Sequence, residues 1–309
     1  MKRLVPTILL LITGLLSAQQ TPANKGKGKG RIAPPSLTSE TLSHEERLYK
    51  TTPQGELRLH FSFPKDWKAG DKRPAIVFFF GGGWKSGSYL QFVPQSDYFA
   101  SRGLVAASAD YRISSIHKTT PDKCVEDAKS AVRYLRAHSR ELGIDPGKII
   151  SAGGSAGGHL AACTALISEF DAESDDKSVS AKPNAMVLFN PALNIDELAA
   201  NRDRKDAIPM AERITPNRHI SADTPPAIMF FGTDDALIEG AQKYLAKAVS
   251  LGLRAELWTA EGQAHGFFNR APWTQVTAKA ADEFLASLGY LNGESTIKLP
   301  EGSGSLKRE

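Results

Sequence analysis

Lys148-Ile149-Ile150-Ser151-Ala152-Gly153-Gly154-Ser155-Ala156-Gly157-Gly158-His159-Leu160-Ala161-Ala162 is the stretch that decides the fold. Its first five residues form an apolar, β-branched run that reads as a strand, and its last five read as the opening of a helix. Between them lies a sharp turn with a serine at its tip. Small residues two positions before and after that serine let the two arms of the turn pass without collision, and the hydroxyl then stands proud of the sheet. The register is testable within the sequence. Ser151 has Ile149 two residues before it and fails the pattern, whereas Ser155 has Gly153 and Gly157 and meets it. A glycine-rich serine turn is also an ordinary loop, so the motif acquires chemical meaning only if the chain supplies partners for the serine.

Outward from this turn, apolar runs recur at 75–80, 104–109, 186–189, 227–231 and 255–259, each with the bias of a buried strand. Residues 57–63 alternate apolar and polar, as a half-buried edge strand does. Helical spacing at 121–142, 155–169, 241–251 and 274–288 separates these runs. Strands alternating with helices of this length predict an α/β fold with a mostly parallel central sheet covered by helices on both faces. The connection between Asn190 and Pro225 is longer and polar, with Asp196, Glu197, Asn201, Arg202, Asp203, Arg204 and Lys205. Two readings stay open for it: a lid or substrate wall over the site, or a plain helical excursion.

The chain has 309 residues, 41% hydrophobic and 23% charged, and a formal net charge of +4. This suits one large α/β domain with a full core. Much of the positive charge sits near the ends, at Lys25, Lys27, Lys29 and Arg31 and at Lys307 and Arg308. No basic face with interleaved aromatics points to nucleic acid. Lys2-Arg3, the apolar run 4–16 and the small pair Ser17-Ala18 read as a signal peptide over 1–18, which places the protein outside the cytoplasm, secreted or periplasmic. The run is too short to span a bilayer comfortably, so no stable membrane insertion is expected. Residues 19–45 are expected to be a flexible linker, 46–292 the catalytic domain and 293–309 a flexible tail. The two cysteines, Cys124 and Cys163, fall in helical patterns; buried free thiols and a disulfide both remain open. No His/Cys cluster has metal-ligand spacing, and neither a metal nor a cofactor is expected.

Acyl transfer by serine needs a base, an acid that orients it, and donors for an oxyanion, all at the carboxyl ends of strands. Asp234 and Asp235 follow the run 227–231 and the turn Gly232-Thr233; periodicity cannot choose between them, and either could be a simple turn former. Of seven histidines, His44 lies in the linker or first helix, His60 on the edge strand, His138 on a solvated helix face and His159 one turn into the serine's helix. His117 and His219 follow no core strand, which leaves His265 in Gly262-Gln263-Ala264-His265-Gly266. Serine, acid, base is the chain order that such a sheet requires. The oxyanion donors should be backbone N–H groups: Ala156 at the start of the helix, and others from the loop Phe80-Gly81-Gly82-Gly83-Trp84-Lys85-Ser86-Gly87. Lys85 and Ser86 lack the spacing of a phosphate-binding loop.

Taken together, Phe80-Gly81-Gly82-Gly83-Trp84, Asp110-Tyr111-Arg112, Gly153-Gly154-Ser155-Ala156-Gly157-Gly158, Gly232-Thr233-Asp234-Asp235 and His265-Gly266-Phe267 resemble secreted bacterial α/β-hydrolase esterases of the acetylxylan and feruloyl esterase kind, relatives of the hormone-sensitive-lipase-like esterases. The resemblance runs over about 57–288. It implies Ser155 as nucleophile, His265 as base, Asp235 rather than Asp234 as acid, and Gly82 and Gly83 as donors beside Ala156. It places Trp84 and Phe267 as candidates for substrate contact and Asp110-Tyr111-Arg112 as a structural brace. It further implies an ester substrate, an acylated carbohydrate in the first instance. A short-chain lipase or polyester hydrolase, and a non-catalytic binding module on the same fold, are the alternatives. The sequence departs from the family in carrying Phe80 and Phe231 where histidines are usual. The first change raises the question of what anchors the oxyanion loop.

Overall fold

The computed structural model of the protein describes residues 36–201 and 205–309. The expected signal peptide, and the linker up to residue 35, lie outside the described residues. In chain order the strands are β1 (Ser43–Thr52), β2 (Gly55–Phe63), β3 (Arg73–Phe79), β4 (Val105–Ala109), β5 (Ile144–Gly154), β6 (Ala185–Phe189), β7 (Ala227–Gly232), β8 (Ala255–Ala260) and β9 (Lys307–Arg308). The helices are α1 (Val93–Ser101), α2 (Ser114–His117), α3 (Pro121–Ala137), α4 (Ala156–Leu166), α5 (Ile195–Asn201), α6 (Ile208–Arg213), α7 (Ile238–Ser250) and α8 (Trp273–Ser287). The strands form one sheet in the order β1-β2-β4-β3-β5-β6-β7-β8-β9. From β4 to β8 all neighbours are parallel, while β1, β2 and β9 add antiparallel margins. This is the expected α/β-hydrolase arrangement.

Strand alternation sorts the apolar residues onto two cores. Val77, Phe79, Ile149, Met186, Leu188 and Met229 point to one face, where α3, α4 and α7 cover them with Val125, Ala128, Leu160, Ala241 and Tyr244. Ile76, Phe78, Ile150, Val187, Phe189, Ile228 and Phe230 point to the other, beneath Phe99 of α1 and Ala281 and Phe284 of α8. Both sides of the parallel strands are buried, which is why those strands read as unbroken apolar runs rather than alternating ones. Among the described residues no helix is long and apolar enough to cross a membrane.

Three expectations require correction. The strand at 57–63 is not the edge: Ser43–Thr52, part of which read as linker, pairs outside it. Leu37 and Leu42 also pack against the core. The last residues are not a free tail. Ile297 is buried, Ser295 bonds Tyr98 at 2.7 Å, Arg102 donates to the Asn292 and Gly293 carbonyls, and β9 pairs with Trp258 and Thr259. Composition rich in Gly and Ser conceals such docking, because a few buried anchors suffice to hold a polar strap. The 190–225 connection is a helical excursion, with α5, α6 and short 3-10 turns on either side of the undescribed residues 202–204. Both cysteines are free and buried. Cys124 donates to the Arg112 carbonyl at 3.0 Å.

Candidate active site

Ser155 caps the N-terminus of α4 with φ 54° and ψ −118°, a conformation a non-glycine residue holds only at a cost of about 1–3 kcal/mol. The sterics of the turn explain how it is imposed. A Cβ on Gly157 would lie 2.0 Å from the Phe79 carbonyl oxygen, and one on Gly153 would lie 2.5 Å from the Gly157 backbone. Strand and helix therefore touch backbone to backbone, as the sequence predicts. The Ser155 N–H is taken by the Phe189 carbonyl at 2.9 Å, and the Ser155 carbonyl by the His159 N–H at 2.9 Å.

The strands to one side deliver the remaining groups. His265 lies in the loop after β8, with Nε2 2.8 Å from Ser155 Oγ and Nδ1 2.8 Å from Asp235 Oδ2. Asp235 follows β7 and is 3% exposed; its other oxygen accepts the Leu237 N–H at 2.9 Å. Asp234 is exposed, and Asp235 is the one beside the imidazole. The buried carboxylate accepts from Nδ1–H, which leaves Nε2 free to accept the serine proton. Backbone bonds zip the two loops together: Thr233 N–H to the Ala260 carbonyl and Asp234 N–H to the Gln263 carbonyl, both at 3.0 Å.

The glycine loop crosses over the serine, since a Cβ on Gly81 would stand 3.3 Å from Ser155 Cβ. Gly82 must be glycine twice over: φ is +131°, and a Cβ would lie 1.9 Å from the Ser86 carbonyl oxygen. Gly82 and Gly83 are exposed. Among the described residues their N–H groups, and that of Ala156, donate to no protein acceptor. Ala156 is the first residue of α4, where an N–H has no intrahelical partner and the helix dipole favours negative charge. Three open donors thus surround the serine, as an oxyanion hole requires.

The anchoring that Phe80 puts in question is supplied by packing and by Tyr111. The Phe80 ring stacks on Tyr111 at 4.1 Å, and the Tyr111 hydroxyl donates to the Phe80 carbonyl at 2.7 Å. Asp127, fully buried, holds Arg112 and Lys50 behind this pair. At the other end of the loop Trp84 takes φ 57° and donates its indole N–H to His159 Nδ1 at 3.2 Å. His159 Nε2 in turn donates to the Ile214 carbonyl of the excursion at 2.7 Å. Burial lowers the His159 pKa to about 4 and keeps the ring neutral, as an acceptor for Trp84 requires.

Of the two aromatic candidates for substrate contact, Trp84 is half-buried against Ala192, Ile195 and Ala211. Phe267 is not available at all: it is 1% exposed and packs edge-on against Trp273 at 5.5 Å. The turn at Gly266, with φ 81°, sends Phe267 and Phe268 into the core rather than toward a substrate. Sequence reasoning also passed over Asn190, which is buried at the end of β6 with φ 36°. Its Oδ1 accepts the Gly266 N–H at 3.2 Å, and its Nδ2 lies 3.4 Å from His265 Nε2. An asparagine closing an apolar strand just before a proline was the available signal, because asparagine tolerates positive φ.

Comparison with known proteins agrees with this geometry. The BD-FAE family model matches residues 62–248, more than half of the chain. A thermophilic esterase from the Planctomycetes species Thermogutta terrifontis, Est2, solved with propionate bound, is 44% identical over 81% of this chain and 96% of its own, with a TM-score of 0.77. The same esterase has also been solved phosphorylated by paraoxon. Carboxylesterase NlhH of Mycobacterium tuberculosis is 26% identical over 82% of this chain and 84% of its own length. The acetylxylan esterase of Xylanibacter ruminicola is 27% identical over 70% of this chain and 44% of its own length. The chain spans about half the length of several such curated relatives. The protein belongs to the BD-FAE family, and it is a serine hydrolase acting on carboxylic ester bonds.

Proposed function

We propose that the protein is an exported carboxylesterase that removes short acyl or hydroxycinnamoyl groups from polysaccharide through an acyl-enzyme on Ser155. The observation that carries the mechanism is the pair of 2.8 Å contacts joining Ser155, His265 and Asp235 beneath three open backbone donors. His265 Nε2 takes the Ser155 proton as Oγ attacks the ester carbonyl. The tetrahedral oxyanion rests on the N–H groups of Gly82, Gly83 and Ala156. His265 then protonates the leaving alcohol, and water activated by the same imidazole hydrolyses the acyl-enzyme. Asp235 holds the imidazole in place through Nδ1 and stabilises the imidazolium.

The polysaccharide reading is supported by the polar excursion, by the leader pattern at the N-terminus and by the likeness to an acetylxylan esterase. A second reading, hydrolysis of small aliphatic esters, is favoured by the likeness to an esterase that was solved with propionate. An ester panel separates them: p-nitrophenyl acetate through decanoate, acetylated xylan and methyl ferulate, each on wild type, Ser155→Ala, Asp234→Ala and Asp235→Ala. Release from acetylated xylan or methyl ferulate is expected. Activity confined to the aliphatic series, or rising with its chain length, rejects the polysaccharide substrate. Ser155→Ala and Asp235→Ala should each lose roughly 10⁴-fold or more in kcat, and Asp234→Ala little. Unchanged activity in Ser155→Ala rejects the mechanism.

A further inference from the structure

A continuous run of side-chain amides connects the two loops that must cooperate in catalysis. Gly81, directly before the candidate oxyanion donors, gives its N–H to Gln91 Oε1 at 2.6 Å. Gln91 Nε2 donates to Asn269 Oδ1 at 2.9 Å, across 178 residues of sequence. Asn269 Nδ2 donates to the Gly266 carbonyl at 3.0 Å, and the Gly266 N–H donates to Asn190 Oδ1 at 3.2 Å. The orientations of the Gln91 and Asn269 amides are fixed from both ends. Gly81 N–H can only donate and the Gly266 carbonyl can only accept, so flipping either side-chain amide would oppose two like poles. Such head-to-tail chains strengthen one another.

We propose that the Gln91–Asn269 pair is a positioning bridge that sets the oxyanion loop and the His265 loop in one mutual register. The proposal rests on the catalytic reading of Ser155 and His265. Its physical motive is the composition of the oxyanion loop. Three successive glycines give that loop wide backbone freedom, yet its N–H groups must stay aimed to within a fraction of an ångström. Tyr111 and Trp84 fix the loop at Phe80 and at its far end. Gln91 fixes the segment between them at Gly81, and Asn269 refers that segment to the residue following His265.

The test is a double-mutant cycle on the full chain with p-nitrophenyl acetate, combining Gln91→Ala and Asn269→Ala and recording kcat, KM and Tm. Each single variant is expected to lose about 10- to 100-fold in kcat with KM changed by about twofold or less, and the double variant no more than the worse single one. Gln91→Glu and Asn269→Asp repeat the measurement at unchanged side-chain volume. Gln91→Glu keeps the acceptor for Gly81 but has no donor for Asn269; Asn269→Asp keeps the acceptor for Gln91 but has no donor for Gly266. Both should reproduce the kcat loss with Tm little changed, including where the alanine variants fail to fold. Wild-type kcat in these near-isosteric variants, or single effects that multiply in the double, overturns the bridge. Ser155→Ala measured alongside keeps the two readings apart: activity there rejects the catalytic assignment, whereas activity lost there but retained in Gln91→Glu rejects the bridge alone.

Discussion

The turn at 153–157 and the turn at 81–87 are both glycine-rich, both follow a central strand, and both reach the same serine, yet they are held by different means. The first is fixed by contact: Gly153 and Gly157 press backbone against backbone, and Ser155 between them sits at φ 54°. The second is open. Its own turn is tight, with Gly82 against Ser86, but Gly82 and Gly83 are exposed, and the loop is tied to the rest of the fold by groups brought in from elsewhere, namely Tyr111, Gln91 and His159. One turn stores strain in a packed core; the other aims donors by long-range hydrogen bonds. Damage to the first should therefore unfold or disable the protein outright, whereas damage to the second should lower activity first.

Gly157→Ala is the strongest way to break that contrast. Its Cβ would sit 2.0 Å from the Phe79 carbonyl oxygen, a backbone atom with no free path of retreat. A loss of about 3 kcal/mol, together with a kcat fall of about 100-fold or more, is expected from denaturant melts and steady-state kinetics. Tyr111→Phe should do less. It preserves the stack on Phe80 but leaves the Phe80 carbonyl without its hydroxyl donor, which costs about 1–2 kcal/mol. A kcat loss of about tenfold should accompany it, as the loop drifts from register.

A further expected effect concerns pH and stability rather than turnover. His159 titrates near 4 in the folded chain and near 6.5 when unfolded, because burial opposes its charge. Between those values the unfolded state holds the proton and the folded state does not, so stability falls as pH drops from 6.5 toward about 4. Tm measured against pH should decline over that window more steeply in wild type than in His159→Asn. Parallel curves would mean that the ring titrates normally.

The same contrast explains what could be read from sequence. The Ser155 register was legible because the constraint is local: neighbours two residues away decide it. The buried strands were legible because burial on both faces writes itself as an apolar run. Asp235 was separable from Asp234 only by resemblance, since both follow one strand, and burial distinguishes them in three dimensions. Gln91 and Asn269 carried no pattern. A glutamine in a 3-10 turn acquires meaning only when the fold brings Asn269 to it. Phe267 misled because the resemblance carried it to the site along with His265, while the backbone turn at Gly266 directs it inward.

The most direct test is titration with paraoxon followed by peptide mass spectrometry. One diethyl phosphoryl group per chain is predicted, on the peptide carrying Ser155, with activity lost in proportion and no labelling in Ser155→Ala. Modification at another residue with Ser155 untouched, or activity that survives full modification of Ser155, would contradict the account.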